Sequence, residues 1–482
     1  MKRLSLMAVS ALIAVLTGCT DFLKEETNGK VFSNALQTEA GLDAALTGTY
    51  KQWNNGWSNG FLHTWQLENT MGGEDLATNH STPNTLEFDT YNVTSSNSSI
   101  PNIYNSCYLS IKNANGVIEA APNCNGSAEV IGQILGEAYF IRAFDYFVIA
   151  RMHKAAPLML SSVYNPDDMH IEPTGTEGLY AQIEADLEEA IRLLPVTRRN
   201  NELSRPNKGV AQALLAEVYL HEAGYPLKKQ GYYAKAASMA KNVLDNHAAY
   251  GFDFESSYEN LFLHTPDKGG ITKESIFQMC SNKGNWCYGT AAGPSEVGGW
   301  NYIFSELNFF RNFPEGPRKD CTFMTEFDCN DGIHRTWQEL DIPRPVYRKL
   351  AVNDAYSAGS WSIAICMLRY SQTALTYAEA QARSGSVNDL ARTCLNTIRR
   401  RAGLEDITTT DPAQFAQACV NERMWEFAAE GVRWYDIQRL ELLDEAIAQR
   451  DPSENKVIGS KGEECYFFPL PNTEQVLNPN LK

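Results

Sequence analysis

The chain has 482 residues, with 41 basic and 58 acidic side chains and a formal charge of −17. That length suffices for one large domain or about three ordinary ones. An acidic surface repels polyphosphate, which argues against nucleic acid as a partner and leaves an uncharged ligand unopposed.

The N-terminus reads MKRLSLMAVSALIAVLTGC. Lys2 and Arg3 give a positive start, and Leu4 to Leu16 is an apolar stretch too short to span a bilayer. Leu16-Thr17-Gly18-Cys19 reads as a lipobox, with small residues before a cysteine whose thiol takes a lipid. Residues 1–18 are therefore expected to be a lipoprotein signal peptide, and residues 19–482 a single mature domain. Losing Lys2 and Arg3 leaves 39 basic side chains and a charge of −19. Acyl chains on Cys19 contribute about 0.8 kcal/mol per buried methylene, so a multiply acylated cysteine anchors stably. No later segment reaches 18 uninterrupted apolar residues, so the expectation is anchoring without a transmembrane helix.

Helical periodicity dominates the mature chain. Leu42, Ala45, Leu46 and Tyr50 mark a helix within Thr38–Trp53, and Tyr104, Tyr108, Ile111, Ala114 and Ile118 mark the next. Glu129–Arg151 is apolar nearly all round, with Glu137, Arg142 and Asp145 the exceptions in its centre, as expected of a helix enclosed by other helices. Tyr180, Ile183, Leu187, Ala190 and Pro195 have the spacing of the second helix of a tetratricopeptide repeat. A second pair falls at 214–244 and a third at 370–402, split by Gly385. The predicted fold is all-α dominated: a tetratricopeptide-type helical scaffold with long irregular loop insertions. Repeat pairs occupy about 104–246 and 368–440, and insertions about 54–101 and 251–361.

The run Phe415–Leu440 organises the C-terminal part. Phe415, Val420, Met424, Phe427 and Ala428 give an apolar face, and Glu422, Glu426 and Glu430 an acidic one. Gly431 is expected to end this helix, and Trp434, Ile437 and Leu440 to begin another. The three glutamates lie among Arg423 and Arg433, so charge pairing between helices is the expected role.

The insertions combine glycine, polar and aromatic residues, and loops on a rigid scaffold commonly carry binding sites. The first insertion holds Trp65, then Gly72-Gly73-Glu74-Asp75, Asn79 and His80. Trp65, Asp75 and His80 are candidate ligand contacts, set against the alternative of a structural turn with core tryptophans. The second holds Trp286, Tyr288, Trp300 and Tyr302 among five glycines. The flat CH face of a pyranose packs on such rings while its hydroxyls stay free to bond, so these four are candidate platforms. Phe304, Phe309 and Phe310 read as core. Cys280/Cys287 and Cys321/Cys329 could close small loops, or be free thiols like the core-patterned Cys366, Cys394 and Cys419. No C-x-x-C, H-E-x-x-H, G-x-S-x-G or P-loop occurs, so neither a metal nor a cofactor is expected and no nucleophile is paired with a base.

The run from Glu422 to Arg439, E-R-x-x-E-F-x-x-E-G-x-R-W-x-D-I-x-R, resembles the C-terminal signature of the SusD/RagB family of outer-membrane lipoproteins. Thr20-Asp21-Phe22-Leu23, Glu137–Phe144, Arg205–Ala211, Phe313–Arg318 and Phe467–Pro471 resemble other stretches of that family. Met152–Leu158 departs from its F-G-D-V-P-L form. The resemblance implies a non-enzymatic, lipid-anchored, surface-exposed protein of the outer membrane. It would bind an oligo- or polysaccharide and deliver it to a SusC/RagA-type TonB-dependent transporter. A RagB-like peptide binder and a surface glycoside hydrolase are the alternatives.

Overall fold

The computed structural model describes residues 35–53, 73–163, 170–262, 272–281, 292–351, 363–459 and 463–481. Ten helices carry the scaffold: α1 (Glu39–Trp53), α2 (Ile100–Ala120), α3 (Ala128–Met152), α4 (Thr176–Leu193), α5 (Lys208–Ala223), α6 (Tyr232–Tyr250), α7 (Tyr370–Arg383), α8 (Asp389–Arg401), α9 (Pro412–Glu426) and α10 (Arg433–Leu440). Each packs on the next from α1 through α6, α6 packs on α7, and α8 and α9 both lie against α7. This is the expected helical-repeat scaffold, with the two N-terminal helices read from the sequence packed at its start. Among the described residues, no helix is long and apolar enough to cross a membrane.

Side chains that cap and pair explain why these segments are helical. Ser127, Asn207, Asn388 and Asp411 each accept a backbone N–H of the first turn, filling donors that a helix start leaves open. The enclosed helix α3 buries the three charged residues at its centre, and each has a partner. Glu137 takes Arg199 at 2.7 Å, Arg205 at 3.0 Å and the Tyr50 hydroxyl at 2.8 Å. Arg142 makes a two-pronged bond to Asp186, and Asp145 accepts from the Trp53 indole at 2.7 Å. For Glu137 and Arg142 a buried charge without such partners would cost several kcal/mol, whereas burial pushes the Asp145 carboxyl well above the usual carboxylate range.

Close helix packing also requires small residues. A Cβ added to Gly209 would fall 2.4 Å from the Tyr250 ring and 2.8 Å from that of Phe252. Gly209→Ala is therefore expected to destabilise by about 1–3 kcal/mol, read as a lowered urea midpoint at unchanged slope.

The signature corner differs from its expected form. Helix α9 stops at Glu426, short of Gly431, with the Phe427 N–H closing on the Arg423 carbonyl. Two left-handed residues then turn the chain, Ala429 at φ +59° and Gly431 at φ +77°. Glu430 therefore lies off the helix, drawn to Lys349 and Arg369, each at 2.8 Å.

The second insertion is less irregular than expected. It is laced by short antiparallel ladders joining β1 (Leu76–Thr78), β2 (Ser275–Ser281), β3 (Ile303–Ser305), β4 (Phe323–Met324), β5 (Glu326–Asp328), β6 (His334–Thr336), β7 (Val346–Tyr347) and β8 (Ile363–Arg369). The pairs are β1 with β3, β2 with β8, β4 with β7 and β5 with β6. Phe304, Phe327, Cys329, Leu340, Val346 and Ala351 form a small separate core beneath them. Cys321 and Cys329 are both free, which corrects the possible bridge: Cys329 is buried in that small core, with its sulfur toward the Phe327 carbonyl. Cys287 lies outside the described residues, so the Cys280/Cys287 pair is not defined.

Candidate ligand-binding face

Two loops distant in sequence become one surface through the β1–β3 ladder. Leu76 pairs with Ser305, Ala77 with Phe304 and Thr78 with Ile303. One step further, the Asn79 N–H donates to the Tyr302 carbonyl at 3.0 Å. Asn79 and His80 are thereby set next to the segment carrying Trp300 and Tyr302. The two rings lie 5.5 Å apart at 47°. Both are half-buried and pack on the main core, while His80 is exposed. Each ring keeps part of its surface exposed, and exposed aromatic surface suits the flat face of a sugar.

The turn holding these rings is tied internally. Asn301 sits at φ +55°, and its side chain clasps Ser295 through bonds of 3.1 and 2.8 Å. Its N–H closes on the Gly293 carbonyl at 3.0 Å. Across the adjoining chain, Asn79 Oδ1 accepts from the N–H and hydroxyl of Ser81 at 2.9 and 2.8 Å, fixing that loop tip.

Asp75, read from sequence as a ligand contact, is buried at 2% exposure. Its Oδ2 accepts the Ala429 N–H at 2.9 Å. Burial pushes its carboxyl up to about 7, opposed by that bond and reinforced by neighbouring Glu74. Glu74 is itself buried and clamped by the Arg433 guanidinium. This turn therefore faces inward, and a direct contact between Asp75 and ligand does not fit its position. Trp65, Trp286 and Tyr288 lie outside the described residues.

A cavity of about 950 Å³ adjoins the same turn through Val297. Phe310, Phe323 and Met324 contribute apolar wall, and Asp320, Glu326 and Asp328 contribute carboxylates. Lys319 lines it too, with its ammonium 4.8 Å from the Phe310 ring and 2.5 Å from Glu315. Sequence patterning does not reveal this groove. Its local trace is the short run Glu326-Phe327-Asp328, because the walls come from three separate segments.

The carboxylates that could suggest hydrolysis are committed elsewhere. Glu422 pairs with Arg318 at 2.5 Å and Arg399 at 2.9 Å. Glu426 meets Arg401 at 2.8 Å, Arg369 at 2.9 Å and Arg318 at 3.1 Å. Burial alone would raise the Glu426 carboxyl, but these three guanidiniums hold it down at about 2. Such groups are fixed anions within an ion-pair network, as the spacing predicted. Among the described residues, no cluster of three or more His, Cys, Asp or Glu could hold a metal ion.

A helical-repeat scaffold bearing an aromatic, hydrogen-bonding loop face defines a class of binding proteins. Residues 21–220 match a SusD-like family model described as starch-binding and associating with the outer membrane, and residues 344–482 match the SusD family model. The chain belongs to the SusD/RagB family. It is 25% identical to SusD-like protein P2 of Formosa agariphila, over 98% of this chain and 97% of that one. Its fold is that of a SusD homolog from Bacteroides thetaiotaomicron (TM-score 0.80, 18% identity, 94% and 99% of the two chains). Surface glycan-binding protein A from Bacteroides uniformis shares it as well (TM-score 0.74, 19% identity, 92% and 99%).

Proposed function

We propose that this chain captures an oligo- or polysaccharide at the outer-membrane surface, anchored through lipid on Cys19, and passes it to a SusC/RagA-type TonB-dependent transporter. The observation that carries the reading is the β1–β3 ladder, continued by the Asn79 N–H on the Tyr302 carbonyl, which sets the 79–80 turn next to the segment carrying Trp300 and Tyr302. The rings would supply stacking area, and the amide and imidazole would bond hydroxyls. Trp286, Tyr288 and Trp65 are proposed as further contacts on the same loops. Asp75 would act from behind the face. The reading is of a binder without catalysis, because the carboxylates best placed in sequence to act as acid and base are held in ion pairs. Support also comes from the family's starch-binding description and from a structural relative named for surface glycan binding.

The test is calorimetric titration of soluble protein starting at Thr20 against laminarin, other plant, host and microbial glycans, and a mixed peptide pool. Trp300→Ala is expected to weaken the best glycan about tenfold, as loss of an aromatic contact worth about 1.4 kcal/mol would. Heat from peptides alone would contradict the reading, and release of reducing ends from any glycan would make the protein a hydrolase.

A further inference from the structure

We propose that Asp75 is the positioning residue of the ligand face, holding it in register with the C-terminal corner without touching ligand. The inference rests on reading the Trp300–Tyr302 face as the binding site. Three elements meet at this one residue. Its carboxylate accepts the Ala429 N–H, so it grips the corner between α9 and α10. Its carbonyl accepts the Glu306 N–H at 3.1 Å and the Tyr347 hydroxyl, so it grips the far end of β3 and strand β7. Its own chain continues directly into β1, which leads to Asn79 and pairs with the strand after Tyr302.

Ala429 explains why this bond is a special one. A left-handed alanine is uncommon and must be held by its surroundings. The Asp75 carboxylate is the acceptor that its N–H meets in that conformation. Moving either partner would release both the corner and the turn. The second carboxylate oxygen, Oδ1, is buried and bonds to no other residue. The site thus favours an uncharged carboxyl, and burial pushes this group up to about 7.

The charged and titratable groups around Asp75 are few. Glu74 lies on its own turn and is bound by Arg433 of α10. Tyr347 comes from β7. Glu306 heads the short helix Leu307–Asn312, with its carboxylate on the N–H groups of Phe309 and Asp451. Glu430 of the corner is engaged by Lys349 and Arg369. Of these, Arg433 alone favours a charged Asp75, and Glu74 already neutralises it.

These surroundings set the sign of the pH effect. The folded group keeps its proton from about pH 4, where the unfolded one loses it, up to about 7. The stability it lends falls across that window and levels off above it. Charge at Asp75 strengthens its bond to Ala429 but is costly in a buried site, and opening the turn to water relieves that cost, so the face opens more readily at pH 8 than at pH 6.

The test needs no glycan, so it can fail independently of the capture reading. Hydrogen exchange of the mature soluble protein is followed at pH 6 and 8, corrected for intrinsic rates, for wild type, Asp75→Asn and Asp75→Ala. In Asp75→Ala, amides of 76–79 and 303–306 are expected to lose about tenfold protection, the worth of one buried hydrogen bond, while α5 and α7 are unchanged. Wild type is expected to lose protection at these two segments between pH 6 and 8. Asp75→Asn, which retains an acceptor for Ala429 and cannot ionise, is expected to show no such change. Loss spread equally over α5 and α7 would make Asp75 a general core residue and overturn the proposal. An identical pH response in wild type and Asp75→Asn would overturn it too, and that comparison stands even where Asp75→Ala does not fold.

Discussion

Glu426→Ala is expected to destabilise the protein by about 3–5 kcal/mol, the cost of breaking a fully buried ion pair from one side. Glu426 has no exposed surface and holds Arg401, Arg369 and Arg318, on three separate segments. Removing it strands positive charge where water does not reach. The comparison is Glu189→Ala, which breaks an exposed pair with Arg192 on α4 and should change stability by less than about 1 kcal/mol. Urea unfolding of the two variants measures the difference. Equal effects would mean that the buried network contributes no more than surface charge.

The second large effect is on the acid side. Arg401, Arg369 and Arg318 hold the Glu426 carboxyl at about 2, against burial that alone would raise it. Arg423 and Arg439 depress Asp436 in the same way. A carboxyl depressed in the folded state lends stability that is fully present above its unfolded value of about 4.5. That stability is lost as pH falls toward 2. For Glu426 alone the loss is about 3 kcal/mol. Stability measured in urea should be level from pH 7 to 5 and fall steeply below. In Glu426→Gln the fall should be shallower by about one proton, and an unchanged slope would remove Glu426 from the acid transition.

These effects trace back to a feature the sequence displayed openly. The glutamate–arginine run of the corner could be read as inter-helix pairing because the spacing is local and the apolar face is plain. The helices were legible for the same reason: Tyr180, Ile183, Leu187 and Ala190 are all buried as their spacing requires. The fate of Asp75 was not legible. A short acidic residue after two glycines reads as an exposed turn, and its partner Ala429 lies 354 positions away. The early end of α9 has the same cause, because Ala429 and Glu430 answer to Asp75, Lys349 and Arg369 rather than to helical neighbours.

The proposed ligand face was half legible. Trp300 and Tyr302 stood out as aromatics in a glycine-rich loop, and His80 as a polar loop residue. Their juxtaposition depends on three residue pairs between β1 and β3, strands too short to show alternation. Cys321 and Cys329 were open to either reading, since close spacing in sequence does not impose the geometry of a disulfide, and both thiols are free.

The most direct test of glycan capture is an experimental structure of the protein with its best-binding glycan. The account predicts a sugar ring within about 4 Å of the Trp300 or Tyr302 ring, with hydroxyls bonded to Asn79 or His80. A glycan seated on the helical-repeat side, away from the β1–β3 ladder, would contradict it.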